Sequence, residues 1–431
     1  MALREIKALY LVLASAALLL CNKGECSSFG ARRGLAADVE TVFDVTKFGA
    51  RPDGRTDGSL QMIRAWNAAC KSGAPAKLVF PPGKFVAGEV VFQGPCTTPT
   101  PITIEIQGTI LSSTDLSVFT QGVWISIENV NGVIVTGGGT LDGRGASAWE
   151  YAGGDGAGLL PVSLQMLKVQ NGVIQNINLL NSKGFHSKVT WSANITVSDL
   201  TITAPADSPN TDGLHISSSQ NVNVTNLTIG TGDDCISVGE GNTNIAISKI
   251  TCGPGHGISI GSLGKRPAEK DVNGVTVTNC TLTGTTNGAR IKTYHASPPM
   301  RASGIVYEDI IMNVVRNPIV IDQHYNSRKK NQPSRVQISD VHFRNIRGTS
   351  ASPVAVNLDC SQAVPCQGVE MVDINLAPAP GVAAISSACI NTKPTLGGKL
   401  TLGQGGCQQC KIYRLISVTE FHACPPKLFN N

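Results

Sequence analysis

Asp212-Gly-Leu-His-Ile216, Asp234-Cys-Ile-Ser-Val238, His256-Gly-Ile-Ser-Ile260 and Arg290-Ile-Lys-Thr293 are four short runs in which apolar and polar residues alternate. That period belongs to a strand with one face buried and one exposed. Asp212 precedes Asp234 by 22 residues, and Asp234 precedes His256 by 22 again. An equal step between equivalent positions is what a coiled repeat produces, its rungs stacked about 4.8 Å apart. Coiled in this way, three carboxylates, a histidine, an arginine and a lysine converge on one patch.

Outward from this stretch a nine-residue phrase with alternate apolar positions recurs. It begins at Gly172, Asn194, Asn221, Asn244, Gly274, Gly304, Arg335 and Gly368, in steps of 22, 27, 23, 30, 30, 31 and 33 residues. Constant strands with variable steps mean that the turns take the insertions. The chain therefore reads as all-β, a right-handed single-stranded parallel β-helix from about Val42 to Pro380. Its Asn residues beside turns are placed to ladder between coils. A short amphipathic helix, capped by Asp57, carrying Leu60, Ile63, Ala65, Trp66, Ala69 and Cys70 on one stripe and ended by Gly73, is expected to cover the first coil. A Cys-rich segment, 381–431, seals the last one. Two insertions stand out, Pro205–Pro209 and the Gly-rich Ala146–Pro161, the latter expected as a rim loop.

Of the 431 residues only 15% are charged, and the net charge is +5. With Arg328-Lys-Lys330 as the densest basic cluster, nothing points to nucleic acid, while a mildly basic surface favours an anionic substrate. Arg4 and Lys7 precede an apolar run from Ala8 to Cys21, so residues 1–26 read as a secretory signal, and no later segment is long enough to cross a membrane. Thirteen cysteines suit an oxidising compartment. With Cys21 and Cys26 set aside in the signal, Cys235 with Cys252, Cys360 with Cys366, Cys70 with Cys96, and two pairs among Cys389, Cys407, Cys410 and Cys424 leave Cys280 over. Cys407-x-x-Cys410 has no second half at ligand spacing, so no metal is expected. Sequons occur at Asn194, Asn223, Asn226 and Asn279.

Buried acids are rare unless paired. Asp233 and Asp234 are adjacent on an alternating run, so one of them turns inward. A carboxylate beside another on a dry surface has its pKa raised and can hold a proton, which gives an acid next to ionised partners. His256, in step with Asp212 and Asp234, can tune that balance. Arg290 and Lys292, two apart on one strand, project together as a fork and a point charge for a sugar carboxylate.

The set Asn210-Thr-Asp212, Gly232-Asp-Asp234, Gly255-His-Gly257 and Arg290-Ile-Lys292 resembles, in this order, the four motifs of the polygalacturonases, glycoside hydrolase family 28. The resemblance covers nearly the whole mature chain, and among plant members is nearest the pollen-type exo-acting group. It implies a hydrolase domain over 42–424, a monomer cleaving α-1,4-linked galacturonan in the cell wall with inversion and without cofactor. Residue by residue, it implies Asp233 as proton donor, Asp212 and Asp234 as the pair activating water, and His256 as the active-site histidine. Arg290, Lys292 and Tyr325 become substrate binders; where plant members often carry Cys after that tyrosine, this chain has Asn326. Rung spacing alone would bring the carboxylates to about 5 Å, the separation of a retaining enzyme. Three rivals stay open: a hydrolase of rhamnogalacturonan or xylogalacturonan, a calcium-dependent pectate lyase, and a non-catalytic wall-binding protein.

Overall fold

The computed structural model describes residues 40–153, 160–325, 332–401, 404, 405 and 407. The signal segment, Asn326, the Arg328 cluster, Cys410 and Cys424 lie outside them. Successive strands pair in parallel, each with its equivalent one coil away. The front face is a twelve-strand sheet whose members include Val162–Leu167, Ser187–Thr190, Leu214–Ser217, Ile236–Val238, Ile258–Leu263, Asn287–Tyr294 and Asn317–Tyr325. The other two faces start as separate short strands. From Gln220–Gly230 onward they fuse into single bent strands; that strand pairs with both Ala193–Ser198 and Thr201–Thr203. The result is a parallel β-helix, right-handed as parallel crossovers are.

Register explains why the runs alternate. Leu214, Ile236, Ile258, Ala289, Ile319 and Val356 face one another in turn. Two residues on, Ile216, Val238, Ile260, Ile291, Ile321 and Leu358 form a second column, and both columns are buried. The residues between them project outward. Where two faces meet, Asn171, Asn194, Asn221 and Asn244 take left-handed φ values of +54° to +58°, a conformation Asn tolerates better than most residues. Their amides form a ladder: Asn171 donates to Asn131 (2.8 Å), Asn194 to Asn171 (3.1 Å), Asn221 to Asn194 (3.1 Å) and Asn244 to Asn221 (2.7 Å).

Helix α1 (Ser59–Cys70) lies against the first coil, but not as its apolar spacing suggested. Leu60 is exposed, and Met62 joins Ala65, Trp66, Ala69 and Cys70 on the buried side. Trp66 packs on Phe92 and donates its indole N–H to the Gln93 carbonyl at 3.0 Å. Gly58 is the capping position. Asp57 accepts from the Ser59 amide at 3.0 Å and from the Gly88 amide at 3.0 Å, so it ties the helix start to the next strand. The helix ends at Cys70, with Lys71 as its C-cap, before Gly73. Parallel pairing also continues past Pro380: Ser386–Ile390 pairs with Val354–Asp359, and Thr395–Gly397 with Gln367–Pro378. Disulfides join Cys70–Cys96, Cys235–Cys252, Cys360–Cys366 and Cys389–Cys407, and Cys280 is free and buried.

One buried amide holds the turn beyond the front sheet. Asn242 is fully buried; it donates to the Ile216 and Gly239 carbonyls (2.9 and 2.8 Å) and accepts from the Ser219 amide (3.0 Å). The Ile216 carbonyl also accepts from the Gly239 amide at 2.7 Å, so Asn242→Ala strands the Gly239 carbonyl and the Ser219 amide, and a loss of about 2–4 kcal/mol in unfolding free energy is expected in denaturant titrations. Unchanged stability would mean that water reaches this turn.

Candidate active site

The turns entering the front strands bring the predicted residues together. The first is held by His186, which is buried and bonded through Nδ1 to the Thr211 carbonyl (3.2 Å), while its Nε2 accepts from the Ser182 amide (3.3 Å). Burial lowers His186 to about 4. The second turn is braced by the Cys235–Cys252 bridge, directly after Asp234. In the third, Gly257 has φ +88°, and a Cβ there would collide with the Asn287 carbonyl one coil on. That is why glycine follows the histidine.

Asp234 is 1% exposed and accepts three side-chain hydrogen bonds. Its Oδ1 accepts from Arg290 Nη2 (2.8 Å) and Ser259 Oγ (2.8 Å), and its Oδ2 from Lys292 Nζ (2.7 Å). Arg290 Nε also reaches Ser259 Oγ, at 2.9 Å. Arg290 and Lys292 are therefore engaged by Asp234 before any substrate arrives, an arrangement that strand spacing alone did not foretell. Burial opposes the charge of Lys292, but Asp234 together with Tyr325 and Asp212 outweighs it and raises the lysine pKa. Two cations on one carboxylate leave one positive charge in excess. Tyr325 lies over both, with its ring centre 5.1 Å from Lys292 Nζ and 6.0 Å from the Arg290 guanidinium carbon.

Asp233 turns the other way. Its Oδ1 meets His256 Nδ1 at 2.9 Å and accepts from the Asp234 amide at 2.8 Å. Thus His256 partners Asp233 and not Asp234, although its sequence step matches Asp234. Burial pushes the Asp233 carboxyl up, but the hydrogen bond and charge of His256, with Lys292 and the Asp234 amide, pull it below the usual range. Asp212 behaves oppositely. Burial, then Asp233 and Asp234, raise its pKa well above normal, and its Oδ2 accepts from Ser237 Oγ at 2.6 Å. The raised carboxyl that the sequence assigned to the Asp233-Asp234 pair thus falls on Asp212.

A third histidine was overlooked. His215 Nδ1 lies 2.8 Å from Ser237 Oγ, and its ring stacks on Phe185 at 5.1 Å. Ser237 gives its only proton to Asp212, so His215 carries hydrogen on Nδ1 and stays neutral; burial, then Lys188 and Lys292, hold it at about 3. The signal was present, since the 22-residue step that aligns Asp212 with Asp234 also aligns His215 with Ser237. The cleft above these groups has a volume of about 620 Å³ and is lined by Asp212, Asp233, Asp234, Lys292 and Tyr325 together with Lys188, His215, Arg266 and Tyr294. Arg290 lies behind Asp234, and His256 stands at the edge, touching the cleft through Asp233.

A solenoid with clustered carboxylates and cations in one open cleft is the plan of a polysaccharide-acting enzyme. The chain belongs to glycosyl hydrolases family 28, whose family model matches residues 70–397, and it is a glycosidase. It is 43% identical to an exopolygalacturonase of Arabidopsis thaliana over 86% of this chain and 90% of the relative. It is 46% identical to a polygalacturonase of Gossypium hirsutum over 83% and 89%. The endo-xylogalacturonan hydrolase of Aspergillus tubingensis superposes with a TM-score of 0.74 at 25% identity, covering 85% of this chain and all of that one.

The buried histidines set a pH limit. His186 and His215 have folded pKa values of about 4 and about 3, below the ordinary 6.5. A depressed histidine contributes stability that is complete above the unfolded pKa and lost as pH falls. Melting temperature should therefore drop as pH is lowered from about 6.5 toward 4. His186→Gln should flatten that slope, and an equally steep slope in the variant would remove His186 from the account.

Proposed function

We propose that this protein is a secreted polygalacturonase that removes galacturonate from a chain end of de-esterified galacturonan by inverting hydrolysis. The observation that carries this reading is the Asp234 cluster. Arg290 and Lys292 exceed its charge by one, beside the Asp233–His256 pair, and a uronate carboxylate is a further acceptor for these two cations. The relatives named exopolygalacturonase, at 41–43% identity, support the exo mode.

In this mechanism Asp234 and Asp212 take the water and Asp233 protonates the leaving oxygen. The resting site holds Asp233 low through His256, so its proton arrives with substrate: a bound uronate adds negative charge and displaces water, and both raise a carboxyl. His256 Nδ1, at 2.9 Å, is the adjoining proton source. His215 and Ser237 fix the orientation of Asp212. A calcium-dependent lyase is disfavoured by the same geometry. Asp233, Asp234 and His256 offer donor atoms within 4.8 Å of one another, yet both Asp234 oxygens already face cations. Calcium would have to displace them and find about six to eight oxygens.

Polygalacturonate should be hydrolysed at an undiminished rate in the presence of a chelator, with galacturonate as first product and no unsaturated ring in the ultraviolet. Shorter oligomers of mixed length with a rapid fall in viscosity would establish an endo mode instead. An initial α-anomer by proton NMR would establish retention.

Asp233→Asn keeps shape and hydrogen bonding but removes general acid catalysis, worth about 10²–10⁴-fold in kcat. On an aryl galacturonide whose leaving group needs no proton, Asp233→Asn should recover much of its rate, whereas Asp212→Asn and Asp234→Asn should not. Recovery by Asp212→Asn alone would transfer the donor role to the carboxyl whose pKa is raised in the resting site.

A further inference from the structure

Beneath the cleft runs a single column of outward side chains, of which Lys188, His215 and Ser237 reach its surface. Gln165, Lys188, His215, Ser237, Ser259 and Arg290 are register partners on six successive strands. Ser237 donates to Asp212 and therefore marks where the carboxylates converge. Arg290 lies two rungs from Ser237 on one side, and Lys188 lies two rungs away on the other, each about 10 Å along the sheet. The two ends of this span are not equivalent. Arg290 and Lys292 share Asp234. Lys188 is half-buried in the cleft, and among the described residues no carboxylate lies within ion-pair distance of it. The rim acids Glu240 and Glu269 are turned to Arg266 instead, at 3.9 and 3.6 Å.

An ammonium partly withdrawn from water without a counter-charge costs stability. Burial, and then the charge of Arg266, lower the Lys188 pKa accordingly. Between Lys188 and the catalytic turn stands His215, which is neutral and adds no competing charge. Phe185, stacked on His215, and Thr190, next outward on the Lys188 strand, complete the wall with an apolar ring and a hydroxyl. A half-buried cation, unpaired, on the floor of a polysaccharide cleft, is a site built for an anion that comes with the substrate.

We infer that Lys188 binds the carboxylate of the uronate on the side of the scissile bond opposite to Arg290 and Lys292. Each of the two sugars flanking the bond then has its own cation, and the enzyme reads two adjacent carboxylates rather than one. This rests on the polygalacturonase reading and assigns it a second specificity-determining residue outside the four motifs. It also predicts that a neutral or esterified sugar on either side of the bond is disfavoured, each for a different residue.

The test compares Lys188→Met, Lys188→Arg and Lys292→Met with the unaltered protein. The substrates are oligogalacturonides bearing no ester, or one methyl ester on one or other of the two sugars flanking the cleaved bond. Lys188→Met should lose roughly 10- to 100-fold in kcat/KM on the unesterified oligomer, mainly through KM, and Lys188→Arg should retain much of it. Esterifying one flanking sugar should cost the unaltered protein a similar factor and Lys188→Met almost nothing further. Esterifying the other should show that insensitivity in Lys292→Met. Should Lys188→Met match the unaltered protein, or lose equally whichever sugar is esterified, the assignment is overturned while the polygalacturonase reading stands. An unaltered protein inert on all three oligomers overturns both.

Discussion

Parallel backbone hydrogen bonding between coils is the constraint from which the site follows. Once Leu214 is opposite Ile236 and Ile236 opposite Ile258, every outward residue has a fixed neighbour one rung away. A half-buried sheet resists slipping, because a one-residue shift would turn the Ile and Val columns to solvent. The catalytic side chains inherit this rigidity. They stand on turns, but each turn is anchored at both ends by ladder strands, and the second also by the Cys235–Cys252 bridge. Groups far apart in sequence, such as Asp234 and Lys292, thereby meet at 2.7 Å with little freedom left to lose on binding.

Charge within that frame is divided unevenly. Asp234 takes both strong cations, Asp233 takes the titratable histidine, and Asp212 receives only a hydroxyl. Asp233 is thereby pulled down and Asp212 pushed up, two like groups driven in opposite directions. Burial is the common background, and the partners decide the sign. A site built this way can hold a proton and a carboxylate side by side, the requirement of acid–base hydrolysis.

The coil architecture could be read from alternation and from equal steps, because Ile and Val at period two have few other uses. The convergence of Asp212, Asp233, Asp234, His256, Arg290 and Lys292 followed from the same arithmetic. Partner choice did not. Strand register predicts neighbours only within strands, and Asp233 and His256 sit on turns whose backbone departs from it, so His256 met Asp233 against its spacing. His215 and Ser237 were in plain view inside the quoted runs but looked like ordinary outward positions. Lys188 belongs to no motif, and only the 27-residue step to His215 places it on the same floor. At the helix, the stripe was drawn through Leu60, and contact with the first coil buries Met62 instead. Beyond Pro380 the strands turn to small residues such as Ser386, Ser387 and Ala388, which hide the period that the pairing still keeps.

The first coil bears on a different matter, the size of the molecule. A parallel solenoid is in principle an endless ribbon, since each coil exposes to the next the same unpaired amides and carbonyls that the last one exposed to it. The opening strands of this chain are short, and one of them, Asp53–Asp57, is charged and largely solvent-facing. Helix α1 lies across their interior with Trp66 filling the open end. Such an edge offers a second molecule neither a long row of hydrogen-bonding groups nor an apolar cross-section to cover. These few dozen residues act as a growth terminator at that end: they keep a protein built on the geometry of a fibre from extending there by adding copies of itself.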